Sequence, residues 1–200
     1  MVGVEILWHY PEETLRLAKE SGASAVKIQS YTPDTMRIDI HKPDFLIDDG
    51  LWKGRSLYDL YREAYTPFEW HKELFDYAKE IGVTLFSSPF DETAVDLLDS
   101  LDAPAYKVAS FEVVDLPLIK YIAKRYKPIL ISTGMASYDE IGEAIEAAKS
   151  VGNNKILLFH CISSYPAPLS EANLNPIYCN RRWFRSEPTR VSKIARTWRR

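Results

Sequence analysis

From residue 66 onward the chain alternates two hydrophobic patterns. Short unbroken apolar runs suit strands buried on both faces, and between them apolar residues recur every three or four positions, as in amphipathic helices. Trp70, Leu74, Tyr77, Ala78 and Ile81 mark one helical face that Gly82 ends, and residues 83–88 follow as a strand. Ala94, Leu97, Leu98 and Leu101 mark the next helix, and residues 104–110 the next strand. Leu118, Ile119 and Ile122, then the run 129–134, then Ile141, Ala144, Ile145 and Ala148, then the run 156–161 complete the series. Upstream, Leu15, Leu17 and Ala18 before Gly22 predict a short helix, and 25–30 a strand. Residues 4–8 are a weaker sixth strand.

Strand starts near 83, 105, 129 and 156 repeat every 22 to 27 residues. Strand–helix alternation with right-handed crossovers gives a parallel sheet, so the fold class is α/β. Helix starts carry their own signals. Thr66-Pro67-Phe68-Glu69 and Ser137-Tyr138-Asp139-Glu140 have the capping-box pattern, and Asp91 and Asp115 are placed to cap the helices after them. Residues 32–65 interrupt the rhythm with turn residues and an aromatic stretch, Trp52, Tyr58, Tyr61 and Tyr65. An insertion of that length is either functional or an aromatic packing flap.

Within two of the apolar runs stands a lysine. In Pro104-Ala105-Tyr106-Lys107-Val108-Ala109-Ser110-Phe111-Glu112 a cation lies mid-strand, with a hydroxyl and a carboxylate where the strand gives way to a loop. In Ala25-Val26-Lys27-Ile28-Gln29-Ser30 alternation puts Lys27 and Gln29 on one face. Either lysine alone reads as a core lysine that snorkels to water. Together, near the C-terminal ends of parallel strands, they point to an anionic ligand such as a phosphate or carboxylate. Those polar strand ends favour a barrel, although an open doubly wound sheet has the same local pattern.

Composition narrows the field. Two hundred residues with 46% hydrophobic content allow one domain with a full core. The net charge of −3 hides an asymmetry, because residues 179–200 carry seven Arg and one Lys against the single acid Glu187. No apolar run of membrane-spanning length occurs, and the first residues lack the basic start of a signal peptide, so the cytoplasm is the expected compartment. Cys161 and Cys179 make neither a disulfide framework nor a metal-ligand spacing, and the four histidines have none either. His71, on an amphipathic helix, reads as a surface residue, and His160 as a satisfied strand-end histidine.

Five motifs in order on successive strands carry a resemblance. They are Val26-Lys27-Ile28-Gln29, Phe86-Ser87-Ser88-Pro89-Phe90, Tyr106-Lys107-Val108-Ala109-Ser110-Phe111-Glu112, Ser132-Thr133-Gly134-Met135 and Cys161-Ile162-Ser163-Ser164-Tyr165-Pro166. From Glu13 to Asn175 the chain resembles the sialic acid synthase family, and Leu51-Trp52-Lys53-Gly54-Arg55 with Ala64-Tyr65-Thr66-Pro67-Phe68 looks like its pseudaminic acid branch. The resemblance implies a (β/α)8 TIM barrel that condenses phosphoenolpyruvate with an open-chain N-acetylated amino sugar and releases phosphate. It implies that Lys27, Ser88, Lys107 and Ser110 contact phosphoenolpyruvate. On the sugar side it implies Gln29, Ser163 and Tyr165, with Glu112 as the catalytic carboxylate. It further implies a divalent metal, Mn2+ or Mg2+, and a homodimer.

Departures from the family pattern set further expectations. The family's first strand carries a catalytic glutamate in Glu-Ile-x-x-Asn-His, of which Glu5-Ile6-Leu7-Trp8-His9 keeps fragments; a glutamate so near a terminus is ordinarily solvated. The family's metal-binding histidines belong to later strands, beyond Asn175, so their absence is expected here. The chain is thus read as a partial barrel over 1–178 with about five to six β/α units, truncated at both ends, and an Arg-rich tail over 179–200 that is disordered or out of frame. The rival activities are N-acetylneuraminate or legionaminic acid synthesis, or a non-catalytic remnant that at most binds phosphoenolpyruvate. Nucleic-acid binding by the tail is a weaker rival, since no groove-entering motif accompanies its arginines.

Overall fold

Strands and helices alternate as the periodicity requires. The computed structural model describes residues 11–40, 42–48, 52–162, 170 and 172. The strand expected at 4–8, Glu5, the cysteine at 179 and the Arg-rich tail lie outside them. The chain divides into two units, Met1–Lys107 and Val108–Arg200.

The first unit runs α1 (Pro11–Glu20), β1 (Ala25–Ser30), α2 (Pro33–Met36), a 3-10 turn (Pro43–Phe45), α3 (Leu57–Ala64), α4 (Phe68–Glu80), β2 (Thr84–Pro89) and α5 (Glu92–Ser100), ending in the first residues of β3 (Tyr106–Val108). β1 pairs parallel with β2 from Ala25↔Thr84 to Ser30↔Pro89, and β2 pairs parallel with β3 at Ser87↔Tyr106. Alternation sorts the side chains. Val26 and Ile28 of β1 and Leu85 of β2 pack with Leu15 and Ala18 of α1 and Leu74 and Ala78 of α4 in one buried cluster. Fully burying an aliphatic side chain of this size contributes about 1.5–3 kcal/mol. Gly22 and Gly82, at φ +88° and +69°, take the left-handed turn that stops α1 and α4.

The second unit runs from a 3-10 turn (Phe111–Val114) through α6 (Leu116–Ala123), β4 (Ile129–Ser132) and α7 (Tyr138–Ser150) to β5 (Ile156–Phe159). β4 and β5 pair parallel from Ile129↔Ile156 to Ser132↔Phe159. Leu118, Ile119 and Ile122 of α6 and Ile141, Ala144, Ile145 and Ala148 of α7 are buried, as their spacing predicts. The side chain of Asn153 donates to the carbonyls of Ala123 and Lys127 and fastens the loops at the strands' N-terminal ends.

Several expectations change. The strand around Lys107 is three residues rather than seven, because Ser110 turns to helical backbone (φ −65°, ψ −33°) and the chain coils into the 3-10 turn. The Thr66 capping box does not form; Pro67 occupies the cap of α4 without a side-chain hydrogen bond. Leu17 is 48% exposed, whereas His71, expected at the surface, is fully buried. The capping box at Ser137 and Glu140 is present, as are the Asp91 and Asp115 caps.

Candidate functional site

Four of the polar residues singled out from the sequence share one face of the first unit's sheet. Lys27 pairs with Phe86 and Gln29 with Ser88, so those four side chains lie on the face opposite the Val26–Ile28–Leu85 layer. Ser87 is level with Tyr106, which is buried on the helix-facing side, so Lys107 one residue later stands level with Ser88 on the same face as Gln29. Adjacent strands lie about 4.8 Å apart, which sets the Gln29 and Lys107 backbones about 10 Å from each other with Ser88 midway. An amide, a hydroxyl and an ammonium therefore form a row, with Lys27 one step closer to the strands' N-terminal ends. Gln29, Lys27 and Lys107 are each half-buried.

Ser88 is 1% exposed, and its Oγ has no hydrogen-bond partner among the described residues. A buried hydroxyl left so is uncommon in a native fold and marks a place where a ligand or water completes the pairing. With two cations and an amide on one face, the arrangement suits an anion that carries several acceptor oxygens.

The insertion is fastened to this end of the unit. Tyr31, directly after β1, is buried and meets the rings of Tyr61 and Phe90 edge to face at 5.7 and 5.6 Å. Thr35 of α2 donates its hydroxyl to Asp91 at 2.6 Å. Burial would raise the Asp91 carboxyl, but the hydroxyls of Thr35 and Thr93 and the backbone N–H groups of Ala94 and Thr93 outweigh it and hold its pKa below the usual range. The aromatic residues of 32–65 thus include a packing contact that closes over the C-terminal ends of β1 and β2, while Trp52 is 56% exposed.

On the helix-facing side of the same strand ends is a polar chain that sequence reasoning missed. His71 Nε2 lies 2.6 Å from Ser30 Oγ, which lies 2.7 Å from Ser87 Oγ. His71 Nδ1 lies 3.0 Å from the Pro67 carbonyl, and burial lowers the ring's pKa against weaker upward effects from Pro67 and Glu69.

In the second unit, Ser110 begins the 3-10 turn that carries Glu112, and both are half-buried. Ser132 ends β4 at 1% exposure, and its Oγ too has no hydrogen-bond partner among the described residues. It opens the motif Ser132-Thr133-Gly134-Met135, and its orphan hydroxyl distinguishes it there. Thr133 beside it donates to the Phe159 carbonyl at 2.9 Å. His160 makes a 2.9 Å hydrogen bond to the Ala172 carbonyl, the satisfied state expected of it. Ser163 and Tyr165 lie outside the described residues. Among the described residues no group of three or more His, Cys, Asp or Glu stands close enough to hold a metal ion, and no helix is long and apolar enough to cross a membrane.

Comparison with known proteins adds what geometry does not. A model of the NeuB family matches residues 14–187, a longer stretch than the motifs mark, reaching into the Arg-rich segment. The chain is 46% identical over 163 residues to a pseudaminic acid synthase of Helicobacter pylori, covering 82% of this chain and 48% of that protein. It is 41% identical over 175 residues to a pseudaminic acid synthase of Campylobacter jejuni, covering 88% of this chain and 51% of the other. The chain therefore spans about half the length of these curated relatives. Among solved structures, an N-acetylneuraminic acid synthetase from Leptospira borgpetersenii superposes with a TM-score of 0.72 at 22% identity, over 84% of this chain and 54% of that one. At that identity the likeness shows the fold alone, an α/β architecture of the (β/α)8 barrel type.

Proposed function

The chain belongs to the NeuB family, and on that premise we propose that it condenses phosphoenolpyruvate with an open-chain N-acetylated amino sugar, a deoxy diacetamido sugar of the pseudaminic acid type. The observation that carries this reading is the row Gln29–Ser88–Lys107, with Lys27 on the same face and the Ser88 hydroxyl buried without a partner.

The enol carbon of phosphoenolpyruvate forms the new C–C bond to the sugar aldehyde, whose oxygen takes up a proton and becomes a hydroxyl. The carbon bearing the phosphate becomes oxocarbenium-like and is captured by water, which gives up a proton. The resulting tetrahedral adduct expels phosphate and leaves a nine-carbon 2-keto acid. Fixed cations contribute most where charge must be held in one geometry through those steps. In this reading Lys27 and Lys107 hold the phosphate and carboxylate charges, and Ser88 and Ser110 donate hydroxyl hydrogen bonds. Gln29, Ser163 and Tyr165 orient the sugar. Glu112, five residues past Lys107, is the carboxylate that moves a proton.

A divalent ion, Mn2+ or Mg2+, enters through the family. The described residues offer no donor set that fits one, so the steps assigned to them are binding, orientation and proton transfer. The reading includes a cytoplasmic protein that pairs as a homodimer, with residues 1–178 as the catalytic barrel segment and 179–200 outside it.

Calorimetric titration of the full chain with phosphoenolpyruvate tests the reading. Lys107→Ala is expected to weaken binding by about tenfold or more, the loss of one charge-assisted hydrogen bond. A chain that takes up no phosphoenolpyruvate overturns the proposal. Turnover with Mn2+ on N-acetylmannosamine alone, and not on the diacetamido sugar, overturns the branch assignment.

A further inference from the structure

His71, Ser30 and Ser87 are all fully buried, and they place three polar groups at the margin of a layer otherwise built from Val26, Ile28, Leu74, Ala78 and Leu85. Buried polar groups are costly unless every one is paired, so such a chain stays only where its directionality matters. Its hydrogen-bond order can be deduced. The Pro67 carbonyl can only accept, so His71 Nδ1 carries the ring proton and donates. Burial keeps the ring neutral, so Nε2 accepts from the Ser30 hydroxyl. That uses the only Ser30 proton, so Ser87 donates to Ser30, its single proton shared with the Ile28 carbonyl at 3.1 Å in a bifurcated bond.

The position of the chain is specific. Ser30 directly follows Gln29 and Ser87 directly precedes Ser88, so each shares a peptide unit with a residue of the row on the opposite face. Apolar packing tolerates small slides and rotations of a strand, whereas hydrogen bonds of 2.6 and 2.7 Å do not. A change of register would turn every side chain to the wrong face. We infer that His71 is a positioning residue: through Ser30 and Ser87 it locks the ends of β1 and β2 so that Gln29 and Ser88 stay level beneath a ligand. The inference rests on the phosphoenolpyruvate reading for the identity of that ligand only.

The test compares the full chain with His71→Ala and His71→Gln, whose side-chain amide reaches the Nε2 position. Hydrogen exchange by mass spectrometry is expected to show protection in His71→Ala lost by about tenfold or more over residues 25–30 and 84–89, and unchanged over α6 and α7. Phosphoenolpyruvate affinity is expected to fall by about tenfold in the same variant, with His71→Gln recovering both. Unchanged protection at those strand ends overturns the inference, as does lost protection with unchanged affinity, which marks a purely structural role. If the unaltered chain binds no phosphoenolpyruvate, the functional reading falls, while the exchange measurement still decides whether His71 locks the strand ends. Should His71→Ala fail to fold, Ser30→Ala, which removes the link and leaves the ring in place, carries the same comparison.

Discussion

The imidazole of His71 is held in its neutral form by burial, and this ties the stability of the fold to pH. In the unfolded chain the ring titrates near 6.5, and in the folded one lower, because desolvation disfavours the cation more than the Pro67 carbonyl and Glu69 favour it. Below 6.5 the unfolded state binds a proton that the native state refuses, so stability falls as pH drops and levels off beneath the folded pKa. Above 6.5 the group has no effect on the balance. Wild type is therefore expected to lose stability relative to His71→Gln by up to about 1.4 kcal/mol per pH unit below that point, measured by urea denaturation at a series of pH values. A stability difference that stays flat between pH 7 and 5 would sink the assignment. The burial of His71 was half-legible. Its spacing to Leu74 and Ala78 puts it on the inward stripe of α4, but a polar ring there reads as solvated until its partners are known. Those partners, Ser30 and Ser87, lie on other elements, and no local pattern pairs them with it. Lys27 and Lys107 stand out in the sequence only as a pair, since either alone reads as a core lysine that snorkels to water, and their role is the proposal above.

Elements were legible wherever a local signal sets them. Asp91, Asp115 and Ser137 each accept the backbone N–H three residues on, as their sequence positions promised. Thr66 does not, because α4 begins one residue later than the pattern placed it. Pro67 takes the cap position, and its carbonyl receives the Trp70 N–H at 3.1 Å and the His71 ring at 3.0 Å, both within the first turn. The strand at Lys107 was overextended at its own boundary. A run of apolar residues does not distinguish a continuing strand from a turn, and Phe111 leaves the layer at 71% exposure. Caps differ in what they connect. Ser137 serves α7 alone, with Glu140 returning the bond, so Ser137→Ala is expected to cost about 1 kcal/mol. Asp91 caps α5 and also receives the Thr35 hydroxyl from the insertion, so Asp91→Ala is expected to cost about 2 kcal/mol or more. Chemical denaturation of both variants checks the order. Equal losses would mean that the insertion gains nothing from its anchor.

At the scale of the whole molecule, the alternation of strand and helix carried the fold class, and the five motifs carried the family, which the relatives bear out. The order of the β/α units could be read because each repeats one local pattern, whereas the level of Gln29, Ser88 and Lys107 could not, since it depends on pairing registers between distant segments. Those registers bear on the metal as well. Phosphoenolpyruvate brings up to three negative charges, and the face that bears the row offers two lysines for them, while no metal-donor cluster occurs among the described residues. Under the proposed reading, the two lysines and the hydroxyls of that face carry phosphoenolpyruvate binding. Phosphoenolpyruvate affinity measured in EDTA and again with excess Mn2+ is expected to agree within about twofold, and to weaken with added salt as exposed ion pairing does. A gain of about tenfold or more on adding Mn2+ would instead put an ion beside the phosphate and a donor set in the residues beyond those described. Lys107→Ala separates the two cases further. If ammonium groups carry the charge, Mn2+ leaves the variant as weak as before; if an ion can share it, Mn2+ restores part of the loss.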